Sequence, residues 1–125
     1  MPLVRIDVPE STSPINREAI SNVVYDALVK VAGAPGNDKF VIISSHDTQS
    51  LIMDPTYVFE RTEQTLIIQV TLNAGRTIEV KNAFYKAVAT GINEATGIPI
   101  NDIFINLVEV PQENWSFGGN EAQYA

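Results

Sequence analysis

The sequence predicts an α+β fold in which a duplicated β-α-β unit forms a four-stranded mixed sheet with two helices on one face. The first observation is an internal repeat at an offset of 64 residues. Residues 33–40 and 97–104 agree in Gly, Pro, Asn, Asp and Phe at five of eight columns. The second observation is a stripe of apolar residues at helical spacing, and the third is a run in which apolar residues alternate with polar ones. Each half of the chain contains one of each.

The first β-α-β unit begins with a predicted strand in which Val4, Ile6 and Val8 alternate with more polar residues. Ser13 is a suitable N-cap for the helix that follows, and Pro14 suits the first helical position. Apolar residues then recur with helical spacing, at Ile20, Val23, Val24, Ala27, Leu28 and Val31. Gly33 favours the end of this helix, and the run 40–43 predicts the second strand.

The second unit repeats these signals after a polar connector at 46–64. Ile68, Val70 and Leu72 alternate as in a strand, and Thr77 is the predicted N-cap of the second helix. The helical stripe consists of Phe84, Ala87, Val88, Gly91, Ile92 and Ala95. Gly97 ends the helix, and the run 104–108 predicts the fourth strand. We therefore expect one domain over 1–125, built from repeats at about 2–45 and 66–109, followed by a C-terminal tail.

Composition bounds the function. The 125 residues carry a net charge of −7 and include no cysteine, which disfavours nucleic acid and anionic membranes as partners and excludes thiol chemistry. No apolar run is long enough to span a bilayer, and no signal peptide is recognisable, so we expect a cytoplasmic protein. A small acidic substrate requires a local positive site. The outer sheet face, which the helices leave bare, is expected to be apolar and to form a subunit contact.

The predicted topology gathers five candidate residues at one edge of the sheet. Parallel strands 1 and 2 begin there, near Pro2 and Asp38, and strands 3 and 4 end there, near Arg76 and before Trp115 and Phe117. Removal of the initiator Met would leave Pro2 with a free secondary amine. Desolvation and a nearby guanidinium both lower the pKa of such an amine, so that it can act as a general acid or base near neutral pH.

Each of these residues also has a structural interpretation. Proline commonly begins a strand, and an arginine at a helix start is usually solvated, although an anion bound there would offset its unfavourable position on the helix dipole. Asp38 can orient a water or share a proton with the amine, or it can, like Asp102 in the second repeat, simply start a strand. Trp115 and Phe117 form an apolar wall or pack against a neighbouring subunit. His46, the single histidine, is expected in a solvated loop with no metal-ligand spacing around it.

Taken together, these residues resemble the tautomerase superfamily, in its malonate semialdehyde decarboxylase branch. The similarity is carried by the start of the chain at residues 1–4, by 33–40, by 71–77, and by 106–109 with 114–118. It implies a homotrimer with an active site around Pro2 and with neither a metal nor an organic cofactor. On this resemblance Asp38 and Pro2 are catalytic, Arg76 binds and acts on the substrate, and Trp115 and Phe117 line the pocket.

Three functions stay open at this point. The first is a tautomerase that uses Pro2 on a small 2-keto acid. The second is a cofactor-free decarboxylase or hydratase of a 3-oxo or unsaturated acid. It is disfavoured because decarboxylases of this branch carry a second arginine where this chain has Ala74. The third is a non-catalytic ligand-binding module, since the same strand and helix order occurs in regulatory domains.

Overall fold

Four strands form one mixed sheet in a computed structural model that describes residues 2–121. In chain order the elements are β1 (Leu3–Pro9), α1 (Pro14–Lys30), β2 (Val41–His46), β3 (Leu66–Asn73), α2 (Ile78–Thr96) and β4 (Ile103–Val110). Single turns of 3₁₀ helix cover Ile100–Asp102 and Gln112–Asn114. The predicted α+β class and the two β-α-β units are confirmed. The connector between β2 and β3 contains neither helix nor strand.

The strand order is β2-β1-β3-β4, and the register fixes which ends meet. β1 runs parallel to β2, with Val4 opposite Val41, and antiparallel to β3, with Leu3 opposite Thr71. β3 runs parallel to β4, with Asn73 opposite Val110. β1 and β3 are therefore adjacent and antiparallel. β1 and β2 begin at the edge where β3 and β4 end.

The core lies between the sheet and the two helices. Alternate residues of β1 and β3 face it, which is why the period-2 pattern appears in both sequences. The fully buried members include Val4, Ile6, Val8, Ile68 and Val70 from the sheet, and Ile20, Val24, Phe84, Val88 and Ile92 from the helices. The two helices also pack against each other, and Gly91 of α2 lies so close to Val23 that a Cβ there would be 2.7 Å from its Cγ1.

The predicted caps are present, with one difference. The side chains of Ser13 and Thr77 accept hydrogen bonds from the backbone amides three residues ahead, as N-caps do. Gly97 is left-handed and directly caps α2. α1 ends instead at Val31 in a right-handed conformation, and Gly33 adopts the left-handed one two residues later.

The outer sheet face is of mixed polarity, so the prediction of an apolar surface is only partly right. Ile42, Phe104 and Val108 are exposed on it. Polar side chains alternate with them across the strands, and Gln69 Nε2 donates to Asn106 Oδ1 over 3.0 Å. Within residues 2–121, neither helix is long and apolar enough to cross a membrane.

Candidate functional site

The candidate site lies at the sheet edge where β1 and β2 begin. Pro2 is buried and precedes β1, whose first residue pairs with Thr71 near the end of β3. On the other side of β1, the Val4 amide donates to the Phe40 carbonyl over 3.0 Å. Pro2 therefore lies between the end of β3 and the segment that leads into β2.

Asp38 belongs to that segment and is only 2% exposed. Burial raises the pKa of its carboxyl, because an ionised carboxylate loses solvation there. The positive charge of the amino terminus lowers that pKa and so partly offsets the effect of burial. A carboxyl with a raised pKa can hold a proton closer to neutral pH than an ordinary aspartate can.

Three contacts to α1 hold the segment around Asp38. The Tyr25 hydroxyl donates to the Gly36 carbonyl. Lys39 Nζ donates to Asn22 Oδ1 over 3.2 Å and lies 5.2 Å from the centre of the Tyr25 ring. The backbone on both sides of Asp38 is thus attached to the helix.

Arg76 is partly buried, and two backbone carbonyls fix its guanidinium. Its Nε donates to the Ala32 carbonyl over 2.7 Å, and its Nη1 donates to the Asn73 carbonyl over 2.9 Å. Ala32 follows α1 and begins the segment that carries Asp38, so Arg76 links the two halves of the chain. A guanidinium has five N–H donors, and these two bonds leave others for a carboxylate.

The turn before Arg76 depends on Gly75, whose φ of +130° is rarely adopted by residues with a side chain. Glu109 braces this turn: its carboxylate accepts from the Gly75 amide over 3.4 Å and from Lys81 Nζ over 2.7 Å. The hydrogen bond from Lys81 keeps the pKa of Glu109 below its ordinary value. On the helix side of the turn, the negative charge of Glu109 is therefore balanced by the positive charge of Lys81.

Trp115 and Phe117 follow the 3₁₀ turn at the end of β4. Trp115 Nε1 donates to Asn73 Oδ1 over 2.7 Å, so its position is fixed against the end of β3. The two rings stack, with centroids 5.6 Å apart and planes 20° apart. Trp115 is half-buried and Phe117 is 38% exposed. The pair forms a stacked aromatic surface next to Asn73.

Sequence reasoning expected Asn73 at this edge, at the end of the third strand, but gave it no role. It contacts both Arg76, through its carbonyl, and Trp115, through its side chain. The available signal was its position: it is the last residue of β3, at the edge where the other candidates were expected. Its hydrogen-bonding partners lie 3 and 42 residues away, and no local pattern indicates the longer contact.

Asp102, the counterpart of Asp38 in the second repeat, has a different environment. It is fully buried, and its carboxylate accepts from the Thr62 amide over 2.8 Å and from the Thr62 hydroxyl. The Thr65 hydroxyl lies 3.5 Å from Oδ1. These contacts tie the connector to the start of β4, so Asp102 has a structural role.

The opposite edge of the sheet holds the remaining sequence candidate, His46. The prediction of a solvated loop was wrong: His46 is the last residue of β2, and its Nε2 lies 2.6 Å from Asp7 Oδ1. It lines a cavity of about 290 Å³ together with Leu51 and Met53. In the 64-residue repeat, Leu51 and Met53 are the counterparts of Trp115 and Phe117. Among residues 2–121, no cluster of three or more His, Cys, Asp or Glu side chains is arranged to hold a metal ion.

Two family models match the chain, and both describe a tautomerase enzyme. One matches residues 38–118 and the other residues 2–61. A probable tautomerase of Bacillus subtilis (strain 168), YusQ, is 32% identical over 98% of this chain and 98% of its own length.

Solved structures agree with these matches. FG41 malonate semialdehyde decarboxylase, inhibited by 3-bromopropiolate, is 38% identical, with a TM-score of 0.89 over 98% of this chain and 93% of that one. A fused 4-OT wild-type symmetric trimer has the same fold, with a TM-score of 0.79 and 23% identity over 98% and 97% of the two chains.

Proposed function

Because the chain belongs to the tautomerase family, we propose that it interconverts the keto and enol forms of a small 2-keto carboxylic acid, with the Pro2 amine as general acid and base. The observation that supports this most is the fixed guanidinium of Arg76 at the sheet edge where β1 begins. An anion held by Arg76 would lie at the same sheet edge as the buried Pro2, in a chain whose net charge is −7.

In the proposed reaction Arg76 holds the substrate carboxylate through N–H groups that Ala32 and Asn73 do not occupy. With the initiator Met removed, the Pro2 nitrogen takes the proton from the enol hydroxyl and delivers a proton to the adjacent carbon. The double bond moves from carbon–carbon to carbon–oxygen, and no net charge or electron is transferred. Burial of Pro2 favours the neutral amine that this cycle requires.

Asp38 and the aromatic pair complete the proposal. A buried carboxyl with a raised pKa can accept or return the proton that Pro2 carries, and it adds little negative charge against an anionic substrate when protonated. Trp115 and Phe117 cover the apolar part of the substrate and exclude water, which strengthens the charge contacts to Arg76.

The first experiment tests the role of Pro2. Mass spectrometry of the purified protein should show loss of the initiator Met, and the enol form of an arylpyruvate should disappear under ultraviolet detection. We expect Pro2→Ala to lower kcat by about 100- to 10,000-fold, the range for a positioned acid–base group. Pro9→Ala, at the other end of β1, is the control and should retain activity. A retained Met, or full activity in Pro2→Ala, would refute the assignment.

The second experiment tests the anion site. Arg76→Ala should raise KM for acidic substrates by about 10- to 100-fold, because a charged hydrogen bond contributes about 1.5–3 kcal/mol. Arg17 is a matched control: it is also partly buried, and its Nε donates to the Thr12 carbonyl over 2.9 Å. Arg17→Ala should leave KM unchanged. An equal rise in KM in both variants would show a general effect on folding instead.

Decarboxylation of a 3-oxo acid is the second candidate, favoured by the 38% identity to malonate semialdehyde decarboxylase. Ala74 stands where decarboxylases of this branch carry a further arginine, and that loss reduces the stabilisation of developing negative charge. A panel of 3-oxo and unsaturated acids, followed for CO₂ release and for water addition, separates this activity from tautomerisation.

We also propose that the chain functions as a homotrimer. Exposed apolar side chains on and beside β4, including Tyr57, Phe59, Ile100, Phe104 and Val108, form a surface suited to a subunit contact. Light scattering during gel filtration tests this: three chains are expected, and a monomer at assay concentration would refute it.

A further inference from the structure

Asn73 makes hydrogen bonds to two candidate site residues at once. Its backbone carbonyl accepts from Arg76 Nη1 over 2.9 Å, and its side-chain oxygen accepts from Trp115 Nε1 over 2.7 Å. Because the guanidinium and the indole are both hydrogen-bonded to Asn73, the distance between them cannot exceed two hydrogen bonds plus the separation of the carbonyl and side-chain oxygens of Asn73. Such a span fits a small acid whose carboxylate and apolar group are separated by a few bonds.

The two hydrogen bonds are not equivalent. The carbonyl bond to Arg76 is made by the backbone and survives any substitution of Asn73. The bond to Trp115 is made by the side chain, and its loss leaves a half-buried indole N–H without that partner. Trp115 lies beyond the end of β4, where it follows a single 3₁₀ turn and has no strand to hold it.

We propose that Asn73 is a positioning residue that selects the substrate class. By holding the indole beside the guanidinium, it favours carboxylic acids with a flat unsaturated or aromatic substituent over small aliphatic acids. This inference rests on the proposed function for the role of Arg76 as anion site. The hydrogen bond by which Asn73 holds the indole of Trp115 can be tested whether or not the protein has that activity.

The test uses the fact that Trp115 is the single tryptophan of the chain, so intrinsic fluorescence reports on this side chain alone. Asn73→Ala should shift its emission to longer wavelength and increase quenching by acrylamide. Asn73→Asp keeps the acceptor oxygen and should restore the wild-type emission. The matched control is Gln69→Ala, which removes another amide from the same strand and the same face and should leave emission unchanged.

Two non-reacting probes measure selectivity by calorimetric titration: benzoate, which has a flat ring, and acetate, which has none. In Asn73→Ala we expect the Kd of benzoate to rise about 3- to 10-fold, the effect of one lost hydrogen bond, and that of acetate to change less than twofold. Trp115→Phe breaks the same bond from the other side and should also reduce the preference for benzoate. It serves as the second variant if Asn73→Ala fails to fold.

Unchanged emission in folded Asn73→Ala would overturn the positioning role. Equal weakening of benzoate and acetate would overturn the claim of selectivity. If the wild-type protein binds neither probe, the anion site fails, and with it both the proposed function and the substrate class. The emission of Asn73→Ala would in that case still decide whether Asn73 holds the indole.

Discussion

Replacing Asp38 by asparagine should stabilise the protein at neutral pH, whereas the same change at Asp102 should destabilise it. Both aspartates are buried and occupy equivalent places in the repeat. The pKa of Asp38 is raised, mainly because burial removes solvent from the carboxylate. Asparagine is nearly the same size and removes the charge, so the cost of burying that charge disappears.

The sign of the pH dependence follows from the direction of the shift. Because the pKa of Asp38 is higher in the folded protein, its contribution to folding is fully present below the ordinary value of 3.8 and is lost as the pH rises through the raised pKa. Asp38→Asn keeps that contribution at all pH values. At neutral pH the free energy of unfolding of Asp38→Asn should exceed that of the wild type by about 1.4 kcal/mol for each unit by which folding raises the pKa of Asp38. This difference should shrink as the pH falls toward 3.8.

The cost at Asp102 is estimated from its hydrogen bonds. Asparagine keeps one oxygen for the Thr62 amide but presents an NH₂ group where the carboxylate accepts from the Thr62 hydroxyl. The loss of one hydrogen bond to a charged group costs about 1.5–3 kcal/mol. The free energy of unfolding of Asp102→Asn should fall by that amount at pH 7.

Urea unfolding at one fixed protein concentration, followed by Trp115 fluorescence between pH 7 and pH 4, measures both effects. Tautomerisation of the arylpyruvate enol completes the comparison: Asp38→Asn should lose turnover while gaining stability, and Asp102→Asn should lose stability but keep its turnover while folded. If Asp38→Asn is destabilised at pH 7 to the same extent as Asp102→Asn, the distinction between a functional and a structural aspartate is wrong.

Two further substitutions test how the backbone positions the site. Gly75→Ala should lower the free energy of unfolding by about 1–3 kcal/mol and raise KM, because a φ of +130° strains alanine. No atom lies within 4 Å of the added Cβ, so backbone strain alone accounts for the loss. Urea unfolding and steady-state kinetics of the variant measure both effects. Full stability in Gly75→Ala would contradict the strain argument. Gly91→Ala gains about 1 kcal/mol of helix propensity but brings its Cβ to 2.7 Å from Val23 Cγ1, so we expect a net loss of stability. Adding Val23→Ala should offset that loss in a double-mutant cycle, and purely additive effects would show that the two helices accommodate the contact.

The fold was predictable because its signals are local and occur twice. Alternation around Val4 and Ile68 predicts strands, the helical stripes predict helices, and Ser13 and Thr77 mark the caps that the structure contains. The strand order β2-β1-β3-β4 joins two parallel pairs through the antiparallel contact of β1 with β3. Strand ends were predicted less well, since β2 extends three residues beyond the predicted run and includes His46.

The site was predictable only in part, because its geometry depends on contacts between distant residues. The topology indicated which strand ends meet, and hence that Pro2, Asp38 and Arg76 belong to one edge. It did not indicate that Arg76 Nε donates to the carbonyl of Ala32, 44 residues away, or that Asn73 holds Trp115. These bonds form between strand ends and loops, where no periodic pattern constrains the side chains.

The two repeats share a backbone plan, but their equivalent aspartates have different surroundings. At the second edge the chain runs through Thr65 into β3, and the hydroxyls of Thr62 and Thr65 lie beside the carboxylate of Asp102. Thr12 stands there in the place of Arg76. Guanidinium groups held by backbone carbonyls occur at both edges: Arg76 donates to Ala32 and Asn73 at the first, and Arg17 Nε donates to Thr12 at the second. A fixed guanidinium therefore does not by itself distinguish the two edges, and the proposed chemistry of the first edge depends equally on Pro2 and Asp38.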